Sequence, residues 1–220
     1  MEIRDYFTYA AMADGARLFR REGTRHTTER APPIQWARPE DTPEAWQRWA
    51  SGTTGLPLVD AAMRELAASG YCSNRVRQNA ASVLTKDLTI DWRAGAEWFQ
   101  WLLADHDTAS NWGNWAYFGG VGADPKQRHF RSVSQAARYD PRGAYVRKWL
   151  PELRDVTSAE ALLRPFALVP DCWTHAPLVD PATQLTWQDA ARLEECGRLL
   201  SADGVEDQEE WREAQAEPLS

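Results

Sequence analysis

The chain has 220 residues, of which 26% are charged and 43% hydrophobic, with a formal net charge of −7. That length supports one domain or one and a half around a buried core, and no apolar run approaches the roughly 20 residues of a membrane span. The opening Met1-Glu2-Ile3-Arg4-Asp5-Tyr6-Phe7 has neither the basic start nor the apolar stretch of a secretory signal, so a cytoplasmic, non-secreted protein is expected, or an organellar or nuclear one in a eukaryote.

In chain order, an N-terminal helix is expected around Asp5 to Arg20. An irregular connector follows, marked by Ala31-Pro32-Pro33 and by Pro39 and Pro43, with Trp36 inside it. Val59, Ala62, Met63 and Leu66 recur at i, i+3, i+4 and i+7, with Gly70 placed for a left-handed C-cap. Ser73 is the expected N-cap of the next helix, whose apolar stripe is Val76, Ala80, Val83, Leu84 and Leu88. Trp92 to Leu103 and Thr108 to Phe118 are two more helices, the second ended by Gly119 and Gly120. After Pro151, prolines 165, 170 and 177 leave room for short helices near Ala159 to Leu163 and near Trp187 to Leu200. Period-two alternation is absent, so the fold class is all-α. Its units are a helical domain over 1–153, a helical and irregular extension over 154–200, and an acidic, disordered tail over 201–220.

Charge and tryptophan are unevenly used. Between Lys126 and Lys148 lie Arg128, Arg131, Arg138, Arg142 and Arg147 against the single acid Asp140, a basic segment inside an acidic chain. Twelve tryptophans exceed average usage severalfold; Trp46, Trp98, Trp101, Trp149 and Trp187 are read as core packing. Cys72, Cys172 and Cys196 are far apart and odd in number, without histidines at ligand spacing. They read as free thiols in a reducing compartment, and no metal site is expected.

The densest chemistry is Asp105-His106-Asp107-Thr108-Ala109-Ser110-Asn111-Trp112-Gly113-Asn114-Trp115, acids, amides and indoles in one helix-length window. By itself, Asp105 and Asp107 read equally as carboxylates satisfying free donors at a helix start. The window also follows Thr54-Gly55-Leu56-Pro57-Leu58-Val59-Asp60-Ala61-Ala62-Met63, Ser73-Asn74-Arg75-Val76-Arg77-Gln78-Asn79 and Asp91-Trp92-Arg93. It precedes Tyr139-Asp140-Pro141 and Trp149-Leu150-Pro151-Glu152-Leu153. Several long motifs in this order resemble the FAD-binding domain of the DNA photolyase/cryptochrome family, its DASH branch in particular.

The resemblance implies FAD held by Asn74, Arg77, Asp105, His106, Asp107 and Asn111. Arg77 and Asp105 would form a buried ion pair that keeps a cation beside the ring. Asn111, matching the family's asparagine opposite flavin N5, would tune its protonation because an amide both donates and accepts. Trp115, Trp92 and Trp36 match an electron-transfer chain running between flavin and surface; three core tryptophans are the plainer reading. Asn74, Arg75 and Gln135 match contacts to a damaged strand. Gln78 stands where duplex repair enzymes carry methionine and Tyr117 where they carry tryptophan, which points to pyrimidine dimers in single-stranded DNA.

The activity so implied is that of a carbon–carbon lyase or a blue-light receptor. The family's N-terminal antenna domain and the loop that grips the flavin pyrophosphate find no match here. Ile3 stands where the family places a tryptophan at the dimer. No antenna chromophore is expected on this chain, and a separately encoded N-terminal half is the implied protein partner. The alternative is a helical DNA- or protein-binding remnant without cofactor or catalysis.

Overall fold

A computed structural model describes residues 3–24, 34–122, 128–186 and 189. Ten α-helices occur among them: α1 (Ile3–Asp14), α2 (Pro43–Ser51), α3 (Pro57–Ser69), α4 (Asn74–Ser82), α5 (Trp92–Leu102), α6 (Thr108–Gly119), α7 (Ser132–Tyr139), α8 (Ala144–Trp149), α9 (Ala159–Leu163) and α10 (Pro165–Leu168). No strand occurs among the described residues; an isolated parallel bridge joins Ala37 to Ile90. The all-α reading therefore holds. The expected helix near Trp187 to Leu200, apart from Asp189, lies outside the described residues, as do the acidic tail, Ala31 to Pro33, Lys126 and Cys196.

α3 is the buried centre. Pro57 begins it, where a missing N–H costs nothing, and Gly70 ends it at φ +70°. It packs against α2, α4, α7 and α8. In its first turn, the fully buried Asp60 carboxylate accepts from the Thr54 N–H and hydroxyl at 2.7 and 2.6 Å and from the Gly55 N–H at 2.9 Å. These bonds clamp the Thr54-Gly55 turn onto the helix.

α5 and α6 pack antiparallel, each lending a glycine to the other's tryptophan. A Cβ on Gly95 would stand 2.3 Å from the Trp115 ring, and one on Gly119 would stand 3.2 Å from Trp92. α1 docks on the opposite side of α6, with Phe7 over Gly113. It ends earlier than expected, at Asp14, because Gly15 takes φ +54° and the chain tightens into a 3₁₀ turn over Gly15–Phe19.

Two further expectations are corrected. Ser73 has the extended backbone of an N-cap but makes no capping bond through its side chain, and the helix after it widens into a π-helical turn over Val83–Asp87. Trp101 is 84% exposed instead of packed. The buried stripe of α5 is Trp92, Gly95, Ala96 and Phe99, at i, i+3, i+4 and i+7, and position 101 falls outside that phase. Trp46, Trp98 and Trp149 do pack against the core, each partly buried.

Burial raises the Asp60 carboxyl from its ordinary 3.8 to about 6, against the pull of the Thr54 and Gly55 donors. The folded state thus holds a proton that the unfolded chain releases, so this group subtracts stability as pH rises from 3.8 through about 6. Asp60→Asn should flatten the fall of the urea midpoint across that window, while lowering the midpoint overall because an amide cannot accept all three bonds.

Candidate functional site

α4, α6 and the turn between α5 and α6 line a cleft that is open to solvent on one side. Asn74 and Arg77 come from α4, Asp105 and His106 from the turn, and Asp107, Asn111 and Trp115 from the start and body of α6. Phe99, Leu103 and Phe118 supply apolar wall.

The polar lining of α6 follows from its phase. Asp107, Ser110, Asn111 and Asn114 fall at i, i+3, i+4 and i+7 and all line the cleft, so one face of an otherwise apolar helix is polar. Asp107 is also the N-cap, its Oδ1 accepting from the Ser110 N–H at 2.8 Å. That bonding to Ser110 holds its carboxyl below the usual range. The helix-start reading and the cleft reading therefore describe one residue. Asn111 is buried, and its Nδ2 donates to the Ala96 carbonyl at 2.9 Å, which fixes its amide against α5.

Arg77 donates through Nε to the Cys72 carbonyl at 2.6 Å and through Nη2 to both Asp105 oxygens at 3.1 and 3.0 Å. The ion pair is formed but not buried, a correction to the expectation: the Arg77 and Asp105 side chains are 24% and 53% exposed. Asp105 sits on the turn ahead of α6 and so faces the open mouth of the cleft. The Cys72 thiol beneath is fully buried and pushed up to about 12 by that burial, an inert thiol and not a nucleophile. His106 Nδ1 is buried without a partner, which in a cleft wall calls for a ligand or water.

The tryptophans fall into two ring clusters. Trp115 meets Phe99 at 5.2 Å and Trp49 at 6.1 Å between centroids. Trp92 meets Trp112 at 5.8 Å. Arg21 ties Trp92 to Trp36: its carbonyl accepts from Trp92 Nε1 at 3.1 Å and its Nη2 donates to the Trp36 carbonyl at 2.6 Å. Trp115 and Trp92 thus each pack against a glycine of the facing helix in the seam of α5 and α6, and Arg21 bridges Trp92 to Trp36.

Of the residues matched to DNA contacts, Asn74 lines the cleft, and Arg75 and Gln78 lie beside it on α4, joined at 3.0 Å. The Arg75 guanidinium stacks 4.3 Å over Tyr139 of α7, one turn beyond Gln135, whose Oε1 is buried without a partner. Tyr117 packs edge-on to Phe118 outside the cleft lining. The basic segment is partly structural: Arg147 donates to the Arg142 and Val156 carbonyls, and Arg138 pairs with Asp189 at 3.6 Å.

The family model for the FAD-binding domain of DNA photolyase matches residues 2–189. The chain belongs to the photolyase/cryptochrome family. Cryptochrome DASH of Xenopus laevis is 47% identical over 176 residues, and that of Gloeobacter violaceus 50% over 171. These alignments take in 80% and 76% of this chain and 32% of each relative. The chain spans about a third of the length of these relatives. A Synechocystis cryptochrome structure superposes with TM-score 0.72 at 40% identity, over 87% of this chain and 39% of that one. An archaeal photolyase from Sulfolobus tokodaii, described with two FAD molecules, superposes with TM-score 0.69 at 30% identity, over 89% and 42%. Family membership and the helical FAD-binding fold are thereby established. Among the described residues, no helix is long and apolar enough to cross a membrane, and no group of three or more potential ligands could hold a metal.

Sequence reasoning missed Ser110 and Asn114. Their signal was the polar stripe at helical spacing, which was legible beside the tryptophans. Asp107→Ala should cost about 0.5–2 kcal/mol in urea unfolding through loss of the cap, whereas Asp107→Ser, which can still cap, should cost little; equal losses would remove the capping role.

Proposed function

We propose that this chain is the FAD-holding helical part of a DASH-type cryptochrome or photolyase, acting on cyclobutane pyrimidine dimers in single-stranded DNA under blue light. The observation that carries the proposal is the convergence of Arg77 from α4 and of Asp105, Asp107 and Asn111 from the start of α6 and the turn before it on one cleft with Trp115 in its wall. The donor set fits a flavin: a guanidinium balanced by a carboxylate, three amides, an unpartnered imidazole nitrogen and aromatic wall. FAD bound there would supply an excitable one-electron donor whose electron splits the dimer ring and then returns, with no net redox change.

The chain's own residues would each do limited work. Arg77, held in place by Asp105 and the Cys72 carbonyl, places fixed positive charge where negative charge on the ring needs it. Asn111, its amide nitrogen held by the Ala96 carbonyl, would have its amide oxygen left to offer the cofactor. Phe99, Leu103 and Phe118 exclude water from that side. Arg75 and Gln78, with Asn74 at the rim, would meet a strand whose damaged pair is extruded towards the cleft, at lowest cost when that strand is already single. The alternative of a cofactor-free DNA- or protein-binding remnant shares Arg75 and Gln78 but leaves the polar stripe of α6 with structural work alone.

Arg77→Gln should weaken FAD binding about tenfold or more, roughly 1.4 kcal/mol, as read by quenching of flavin fluorescence, with the urea midpoint nearly unchanged because the Arg77–Asp105 pair is half exposed. Trp115→Phe should leave the dark flavin spectrum intact and slow photoreduction by an added thiol; an unchanged rate would sink the relay. On a pyrimidine-dimer oligonucleotide, Arg75→Ala should weaken binding and shallow its dependence on salt, and a variant that matches the wild type in both would move the DNA face elsewhere.

A further inference from the structure

The ring that lines the cleft, Trp115, opens onto an unbroken row of indoles that does not pass through Trp92 or Trp36. Trp115 meets the fully buried Trp49 at 6.1 Å, interplanar angle 76°. Trp49 stacks on Trp46 at 5.4 Å and 28°. Trp46 in turn meets Trp98 at 5.9 Å. Each separation lies within the contact range of roughly 4.5–7 Å for paired aromatic rings. Trp46 and Trp98 are partly exposed, so the row begins at the cleft wall and ends at solvent.

The other direction differs at its far end. Trp92 is fully buried and Trp36 is 8% exposed; the ring partner of Trp92 is Trp112, whose indole N–H is held by Gln100 at 2.8 Å. A chain that must draw electrons from a dissolved reductant needs a donor that solvent reaches, and the Trp46–Trp98 pair offers one.

We propose that Trp49 and Trp46, with Trp98 beside them, form a second electron-transfer branch from Trp115 to the surface of α2 and α5. The inference rests on the proposed flavin occupancy of the cleft. The electron count closes. Trp115 would give one electron to the photoexcited cofactor held in the cleft, Trp49 would refill Trp115, and Trp46 would refill Trp49. A thiolate in solvent then returns one electron to Trp46, becoming a thiyl radical that couples with a second to give a disulfide. Packing and conduction are compatible here, since the Trp49 indole N–H is satisfied by the Ala80 carbonyl at 3.0 Å and the ring stays fixed in the core.

The test is flavin photoreduction by a thiol, followed by transient absorption, in Trp92→Phe, Trp49→Phe, Trp46→Phe and the Trp92→Phe/Trp49→Phe double variant of the FAD-loaded chain. The branch predicts that Trp92→Phe keeps a yield well above that of Trp115→Phe, and that the double variant loses it. Because Trp49 is fully buried, the partly exposed Trp46→Phe serves as the variant that keeps the core intact; on the Trp92→Phe background it should lower the yield as Trp49→Phe does. Flavin-free near-ultraviolet circular dichroism gives an independent readout: the stacked Trp46–Trp49 pair should contribute a coupled indole band that either single variant removes. Retained flavin with Trp92→Phe as inactive as Trp115→Phe overturns this branch alone, whereas a chain that retains no flavin overturns the reading of the cleft as well.

Discussion

The reciprocal contact of α5 and α6, in which Gly95 makes room for Trp115 and Gly119 for Trp92, is the constraint on which the site depends. Two indoles can lie in a helix seam only where the facing helix lacks a Cβ, and protein interiors leave no slack to absorb one. The seam brings α6 close enough for Asn111 to reach the Ala96 carbonyl and for Trp112 to reach Gln100. It thereby sets the rotation of α6 and turns the stripe of Asp107, Ser110, Asn111 and Asn114 towards α4. Without that rotation, the polar residues of the window would face different directions.

The electrostatics of the cleft follow from where each charge is anchored. Arg77 is fixed from below by the Cys72 carbonyl and from the side by Asp105. Its charge is compensated but still partly hydrated, which limits the desolvation that a fully buried pair would suffer. Asp107 is committed to the Ser110 N–H as the cap of α6, so it serves the helix first and the cleft second. Such double use is expected where a binding face is built at a helix start, because the free N–H groups there already attract a carboxylate.

Much of this was legible in the residues. The periodicity of Val59 to Leu66, the glycines at 70 and 120, and the placement of Thr108 as the first residue of α6 each corresponded to an observed boundary. The motifs in order pointed to the family that the comparison with relatives establishes. Tertiary context decided the rest. Trp101 belongs to a tryptophan-rich helix yet falls off its buried phase, so composition suggested core where geometry gives solvent. The ion pair of Arg77 and Asp105 was readable as a pairing but not in its exposure, because that depends on how far the turn before α6 stands out from the fold. The π-helical turn over Val83–Asp87, which carries the Thr85 hydroxyl to the Ala81 carbonyl and the Lys86 amine to the Gly119 carbonyl, has no sequence signature at all. Nor did spacing reveal that Trp46, Trp49 and Trp98 line up with Trp115, since Trp46 and Trp49 lie on α2 and Trp98 on α5, far apart in the chain and brought together only by the fold.

The account stands on the cleft being a flavin site in this chain, whose alignments cover about a third of its relatives' length. The most direct measurement is the visible spectrum of the purified chain after incubation with FAD and gel filtration to remove unbound cofactor. The account predicts flavin bands at near one-to-one stoichiometry that bleach under blue light when a thiol is present. A colourless protein that remains folded by circular dichroism would contradict it.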